Sequence, residues 1–135
     1  MEGFRSVYEH RVIFRDLDAL GHVNNAVYAT YFETGRMEYL AGLPAVDSAS
    51  LILAEITITY RSPAFLREQL LIGTRVTEVR NSSFVVEGQI EEKQTGRLVA
   101  TSRSVIVHFD YKLGKSQPVP ATWREAFAQF EERPL

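Results

Sequence analysis

Five polar residues fall in one short segment of the sequence: Asp16, Asp18, His22, Asn24 and Asn25. The chain contains no cysteine, so a nucleophile or general base must be a carboxylate, His, Ser, Thr or Lys. An aspartate can attack a carbonyl carbon or activate a water molecule beside it. The start of a helix, with its unpaired N–H groups and partial positive charge, can polarise the same carbonyl. The residue types in this segment therefore fit those needed for acyl transfer. Asp16 and Asp18 also fit ordinary turn and capping positions.

The candidates for chemistry outside this segment are weaker. His10 and His108 are single histidines in strand-like patterns, which is typical of surface or packing residues, and no two histidines have the spacing of metal ligands. Glu33 falls away from the apolar face of the predicted helix and Glu55 alternates with apolar residues, so we expect both to face solvent. The sequence has no glycine-rich phosphate loop and no G-x-S-x-G motif. We expect neither a metal nor a cofactor.

A strand and a long helix must position the polar segment. Alternating residues predict a strand over about 6–14, and a helix is expected over about 24–41, with Asn24 or Asn25 as its N-cap. Gly35 in mid-helix costs roughly 1 kcal/mol relative to Ala, so a close packing contact should compensate. At about 100° per residue, one face of the helix carries Tyr28, Tyr31, Phe32, Gly35, Tyr39 and Leu40.

The rest of the chain predicts antiparallel sheet. Strands with alternating residues are expected around 55–60, 70–80, 84–92 and 98–111. A short C-terminal helix should run from Thr122 to about Glu132, because Thr122 and Glu125 fit a capping box. One long helix against five strands gives an α+β architecture with unpaired sheet edges. Two chains that joined edge to edge would cover those edges, so we expect a dimer.

Length and composition narrow the possible functions. The chain has 135 residues, which fits a single domain over 1–135. Its 15 Lys and Arg against 17 Asp and Glu give a net charge of −2, which lacks the basic surplus that binds nucleic acid. No apolar run approaches the ~20 residues that span a membrane, and the N-terminal residues show no signal peptide. We expect a soluble cytoplasmic domain with no nucleic-acid or membrane partner.

Two motifs carry a resemblance to a known family. Residues 14–28, FRDLDALGHVNNAVY, resemble the hot-dog fold thioesterases of the 4-hydroxybenzoyl-CoA thioesterase-like family, and residues 60–64, YRSPA, resemble that family's Tyr-x-x-Pro-Ala. The predicted order of strands and helices agrees over nearly the whole chain. The resemblance implies a hot-dog fold, in which an antiparallel five-stranded sheet wraps a long central helix. It also implies dimers, which commonly pair into tetramers.

The resemblance assigns a reaction and residue roles. The reaction would be hydrolysis of an acyl-CoA thioester to a free acid and CoA. Asp18 matches the family's catalytic aspartate, acting as nucleophile or general base, and Asp16 would be structural. The backbone amide of Asn25 matches the group that binds the thioester carbonyl. The family's active sites lie at the dimer interface, where Tyr60 and Arg61 can come from the partner chain. Arg61, Arg67 and Arg103 are candidates for contact with the CoA phosphates.

Some positions leave alternatives open. His22 either assists catalysis or only holds the loop, and Tyr28 either lines or closes the acyl pocket. Leu20 stands where plant acyl-ACP thioesterases have an Asn, so an Asp–Asn–His constellation is incomplete here. Arg67 stands where many relatives have Gly, which puts the geometry of that turn in doubt.

Two other functions fit the same scaffold. One is a hot-dog hydratase acting on enoyl thioesters, although the Asn-Pro of its motif is missing here. The other is an acyl-thioester binding module without catalysis. The sequence does not indicate the acyl chain, and it does not distinguish CoA from acyl carrier protein as the carrier.

Overall fold

The structure is a computed structural model that describes residues 1–135, with one antiparallel sheet and two helices. Its strands are β1 Ser6–Arg11, β2 Leu51–Tyr60, β3 Gln69–Val79, β4 Ser83–Glu92, β5 Leu98–Asp110 and the short β6 Lys115–Ser116. The helices are α1 Val27–Ala41 and α2 Ala121–Glu131. The strand order is β1-β3-β4-β5-β2, and β6 pairs with the end of β5. A long helix against an antiparallel sheet is the α+β architecture that the sequence predicts.

Helix α1 packs against the sheet through the face predicted from its periodicity. All six residues of the predicted stripe are buried, together with Arg36. A methyl group on Gly35 would lie 2.7 Å from Cγ2 of Ile72 and 2.8 Å from Oγ1 of Thr74, both on β3. Phe32 comes as close to Gly88 on β4, where an added methyl group would lie 2.6 Å from Cδ1 of the phenyl ring. The predicted close contact at Gly35 is therefore confirmed, and the two contacts pack α1 against the neighbouring strands β3 and β4.

Two groups of buried apolar side chains form the core. The group at the N-terminal half of α1 includes Val12, Val23, Tyr28 and Ala64, and therefore lies under the polar segment. The group at the C-terminal half of α1 includes Tyr39 together with side chains of α2. Helix α2 thus covers the end of the sheet opposite the polar segment.

The structure corrects two predicted helix starts. Helix α1 begins at Val27 rather than Asn24, and its N-cap position is Ala26, which makes no side-chain cap. The side chain of Asn24 bonds the amide of Ala26 instead, so it closes a turn ahead of the helix. Helix α2 begins at Ala121, so Thr122 already lies inside the first turn and makes no capping box. Pro120, whose backbone is extended, occupies the N-cap position of α2 in place of Thr122.

Two strands form the edges of the sheet, and the longer of them is β2. Its ten residues pair only with β5, and Ile52 and Leu53 on it are exposed.

Arg67, in the turn before β3, has a φ of 70°, a left-handed conformation in which glycine is usual. The turn at Arg67 therefore has a backbone conformation that a glycine would adopt without strain. No helix of the chain is long and apolar enough to cross a membrane.

Candidate active site

The polar segment folds into a small hairpin between β1 and α1. The amide of Asp18 donates to the carbonyl of His22 at 2.9 Å, and the amide of Asn24 donates to the carbonyl of Asp16 at 2.9 Å. The amide of Val23 reaches across to Ala64, which follows β2. At the tip, Gly21 has a φ of 86°, a conformation that favours glycine. The hairpin therefore has a defined shape set by backbone hydrogen bonds.

The carboxylate of Asp18 has two different partners. Its Oδ1 accepts the backbone amide of Leu20 at 2.8 Å, which is the hydrogen bond of a turn residue. Its Oδ2 lies 3.3 Å from Nδ1 of His22. The side chain of Asp18 is 23% exposed and that of His22 is 31% exposed, so the pair lies at the surface of the site rather than in bulk solvent. Asp18 thus makes the turn and still presents one oxygen toward His22.

The backbone N–H of Asn25 is free. It makes no hydrogen bond to any group of the chain, whereas the neighbouring amides of Ala26 and Val27 bond the side chain and the carbonyl of Asn24. The free amide lies just before α1, where the helix dipole adds partial positive charge. A carbonyl oxygen that reaches this point would meet an unpartnered donor, as an oxyanion-binding group requires.

Asn25 lines a cavity of about 260 Å³. It brings together four predicted substrate-binding residues: His22, Asn25, Tyr28 and Arg61. The remaining lining residues are Val23, Tyr60, Ser62 and Pro63. Asp18 is not part of the lining and reaches the cavity only through its contact with His22. Within one chain, the end of β2 therefore meets the start of α1.

The hydroxyl of Tyr60 is a site feature that the sequence patterns do not reveal. It donates to the carbonyl of Asn25 at 2.9 Å. Its ring stands edge-on to that of Tyr28, with centroids 5.3 Å apart. Tyr28 is only 3% exposed, and burial raises the pKa of its phenol above the ordinary value. Tyr60 thus holds the peptide of Asn25 in place, and Tyr28 forms a protonated, largely apolar wall.

The two aspartates of the segment have separate surroundings. The side chain of Asp16 turns away from Asp18 and bonds His10 on β1 and Tyr31 on α1. The chain contains no group of three or more His, Asp or Glu side chains that could hold a metal ion. The polar groups that line the cavity are the imidazole of His22, the guanidinium of Arg61, two phenols, the hydroxyl of Ser62 and Asn25, whose backbone amide is free; the carboxylate of Asp18 contacts His22.

The chain matches a known family over most of its length. The model of the thioesterase-like superfamily matches residues 12–127, which include the hairpin, α1 and nearly the whole sheet. The chain therefore belongs to the thioesterase-like superfamily, and its fold is the predicted hot-dog fold.

Individual relatives agree with this assignment. The chain is 29% identical to the long-chain acyl-CoA thioesterase FadM of Escherichia coli K12, over 84% of this chain and 89% of that protein. It is 30% identical to the acyl-CoA thioesterase YbgC of Haemophilus influenzae, over 81% and 82% of the two chains. A thioesterase of Thermus thermophilus, solved in complex with coenzyme A and zinc, superposes over the full length of both chains with a TM-score of 0.92 and 32% identity.

Proposed function

We propose that the chain is an enzyme that hydrolyses acyl-CoA thioesters to a free carboxylic acid and CoA. The observation that carries the proposal is the free amide of Asn25 just before α1, beside a cavity that His22 lines and that Asp18 reaches through its contact with His22. Both named relatives are acyl-CoA thioesterases, and the Thermus structure holds coenzyme A. These similarities support a CoA thioester as the substrate.

The proposed mechanism begins when the thioester carbonyl accepts the N–H of Asn25. The helix dipole then stabilises the negative charge that develops on the carbonyl oxygen. Either Asp18 takes a proton from water while the hydroxyl oxygen bonds the carbonyl carbon, or its carboxylate bonds that carbon and forms a mixed anhydride that water later hydrolyses. In both routes the C–S bond breaks and the CoA thiolate leaves; it takes up a proton from Asp18 in the first route and from solvent in the second. His22, whose Nδ1 lies 3.3 Å from Oδ2 of Asp18, would orient the carboxylate.

We further propose that Arg61 contacts the CoA portion of the substrate. Its side chain is exposed at the rim of the cavity, so a guanidinium there can meet a phosphate without the cost of burying a charge. Tyr28 would then lie along the acyl group, because it forms the buried, apolar wall of the same cavity.

We also propose that two chains join through β2, and that such dimers pair into tetramers. Strand β2 offers ten residues of edge with no partner on one side, and an exposed edge of that length is normally covered. Ile52 and Leu53 on this edge add apolar surface that association would bury. The cavity is lined by Tyr60 at the end of the same strand, so the site would lie beside the interface. Light scattering on the purified protein tests the number of chains.

The release of free thiol from a series of acyl-CoA substrates tests the proposed reaction. The decisive variant is Asp18→Asn, because an amide oxygen can still accept the amide of Leu20 and keep the turn. One lost acid–base group should lower kcat by about 10²–10⁴. A folded Asp18→Asn protein with unchanged turnover would contradict the assignment. Hydration of an enoyl-CoA without thiol release would indicate a hydratase instead, and binding without turnover would indicate a binding module.

Asp110→Asn is the matched control. Asp110 accepts the amides of Lys112 and Leu113 in the turn after β5, which is the same turn chemistry at a distance from the cavity. This variant should keep the wild-type rate. For the two mechanistic routes, a single turnover in water labelled with oxygen-18 is informative, since label that enters Asp18 excludes pure general-base catalysis.

A further inference from the structure

A second group of polar side chains lies between β1 and α1, outside the cavity at Asn25. Oδ2 of Asp16 is its centre and lies 3.0 Å from Nε2 of His10 and 2.8 Å from the hydroxyl of Tyr31. The backbone amide of Ile13 donates to the same oxygen at 3.2 Å. These side chains border a separate cavity of about 530 Å³. The hydrolysis proposed above uses none of them.

The surroundings of Asp16 and Tyr31 define the charge states of these two side chains. Burial opposes ionisation of Asp16, but the hydrogen bonds from His10, Tyr31 and Ile13 outweigh it and hold the pKa of the carboxyl below its ordinary value. Burial, then the hydrogen bond to Asp16 and its charge, raise the pKa of the Tyr31 phenol. At neutral pH Asp16 is therefore a carboxylate and Tyr31 a donor. Because a carboxylate only accepts, Nε2 of His10 must carry the proton that they share.

Asp16 connects this group directly to the hairpin of the active site. Its carbonyl accepts the amide of Asn24, the residue before the free amide of Asn25. Leu17 and Val23 form the next pair of the same hairpin, and Asp18 follows. The carboxylate of Asp16 thus ties the base of the hairpin to β1 through His10 and to α1 through Tyr31. A shift of Asp16 would move both arms of the hairpin, one leading to Asp18 and the other to Asn25.

The rings supply a second connection. The centroids of His10 and Tyr31 are 4.7 Å apart, those of Tyr31 and Tyr28 are 5.8 Å apart, and those of Tyr28 and Tyr60 are 5.3 Å apart. The last ring carries the hydroxyl that bonds the carbonyl of Asn25. Rings in contact therefore run from β1 to the peptide that binds the thioester.

We propose that His10 and Tyr31 are positioning residues for the hydrolysis, because through Asp16 they hold the hairpin so that Asp18 and the amide of Asn25 face the same carbonyl group. This inference rests on the proposed function. Neither side chain touches the substrate. Small displacements of reacting groups are costly, since a misplacement of about 1 Å can lower the rate by about a hundredfold.

Three variants separate positioning from general stability. Tyr31→Phe keeps the ring and removes only the hydroxyl. His10→Leu removes the donor to Asp16, and His10→Gln restores an N–H group that can reach the same oxygen. The matched control is Tyr39→Phe, which also removes from α1 a buried tyrosine hydroxyl that donates to a carboxylate, that of Glu131, at the other end of the core.

Thiol release gives kcat and KM, and thermal melts confirm that each variant is folded. We expect Tyr31→Phe and His10→Leu to lower kcat by about 10- to 100-fold with KM changed by less than about threefold. His10→Gln should recover most of the lost rate, and Tyr39→Phe should keep it. Wild-type kcat in folded Tyr31→Phe, or an equal loss of rate in Tyr39→Phe, would overturn the proposal. If His10→Leu does not fold, Tyr31→Phe decides the question alone.

Amide hydrogen exchange supplies a readout that does not depend on activity. The amides of Val23 and Asn24, which donate to Ala64 and Asp16, should exchange faster in Tyr31→Phe than in wild type and in Tyr39→Phe. Unchanged exchange contradicts the proposed hold on the hairpin. If the wild type releases no thiol but exchange rises as expected, the hold on the hairpin stands and only the proposed hydrolysis fails.

Discussion

Replacing Asn25 with proline tests the free amide at the start of α1. Proline lacks an N–H group, and the amide of Asn25 bonds nothing in the chain, so the variant loses no hydrogen bond of the fold. The side chain of Asn25 is exposed, and its carbonyl, which accepts the hydroxyl of Tyr60, remains. Asn25 also lies two residues before the first residue of α1, so proline at this position interrupts no hydrogen bond of the helix. The substitution is therefore close to the deletion of a single donor.

The size of the expected effect follows from the role of that donor. A group that binds the developing oxyanion contributes in the transition state more than in the bound substrate, so its loss lowers kcat rather than raising KM. Removal of one such donor costs about 10²–10³ in rate, or about 2.7–4 kcal/mol of transition-state stabilisation. The free energy of unfolding should change little, because the fold gives up no contact of the amide.

Thiol-release kinetics and thermal melts measure the two quantities on the same samples. Asn25→Ala is the control, because it removes the side chain and retains the N–H, and it should keep kcat near the wild-type value. The reasoning is refuted if Asn25→Pro melts like the wild type and turns over at the wild-type rate. In that case another donor must polarise the carbonyl.

Two further predictions concern the scaffold. Gly35→Ala should lower the free energy of unfolding, because the new methyl group would lie 2.7 Å from Cγ2 of Ile72. Overpacking of a core costs about 1–3 kcal/mol. We expect this cost to exceed the ~1 kcal/mol by which alanine is favoured over glycine in a helix. Denaturant titration measures the change, and a more stable Gly35→Ala protein would show that β3 yields. For Asp16, the pKa in the folded state lies below the ordinary 3.8, so the unfolded chain binds more protons between those values. The contribution of Asp16 to the free energy of unfolding is complete above pH 3.8 and is lost as the pH falls through the folded-state pKa. In Asp16→Asn, the free energy of unfolding should therefore fall less steeply with decreasing pH in this acid range. An unchanged acid limb would contradict this.

Local patterns predict the elements of this fold well. The period of about 3.6 residues predicts the buried face of α1, and all six residues of the predicted stripe are buried because that side of the helix rests on the sheet. The strand boundaries agree to within a few residues, since alternation marks strands whose two faces differ. The predicted N-cap of α1 is wrong. An asparagine in this part of the sequence indicates a side chain that accepts a backbone amide, but it does not indicate whether that amide lies in the helix or in the turn before it.

Local patterns do not predict which distant segments of the chain lie side by side. Residues 60–63 line a cavity with His22 and Asn25 only because the order of strands places the end of β2 near the start of α1. A strand order is a set of long-range pairings, and no spacing within a segment encodes it. The family resemblance predicts Arg61 as a site residue. The hydrogen bond from the hydroxyl of Tyr60 to the carbonyl of Asn25 is visible only in the folded structure.

Asp18 shows why its two sequence interpretations, turn residue and catalytic residue, are compatible. The bond from the Leu20 amide fixes Oδ1, and this constraint leaves Oδ2 as the oxygen near His22. A carboxylate whose side chain rotated freely would have to lose that rotational freedom before it reacted, at a cost in free energy. Here the turn has already restricted it. The hairpin is thus part of the proposed catalytic arrangement, and the hydrogen bonds of Asp16 at its base extend the same argument to β1 and α1.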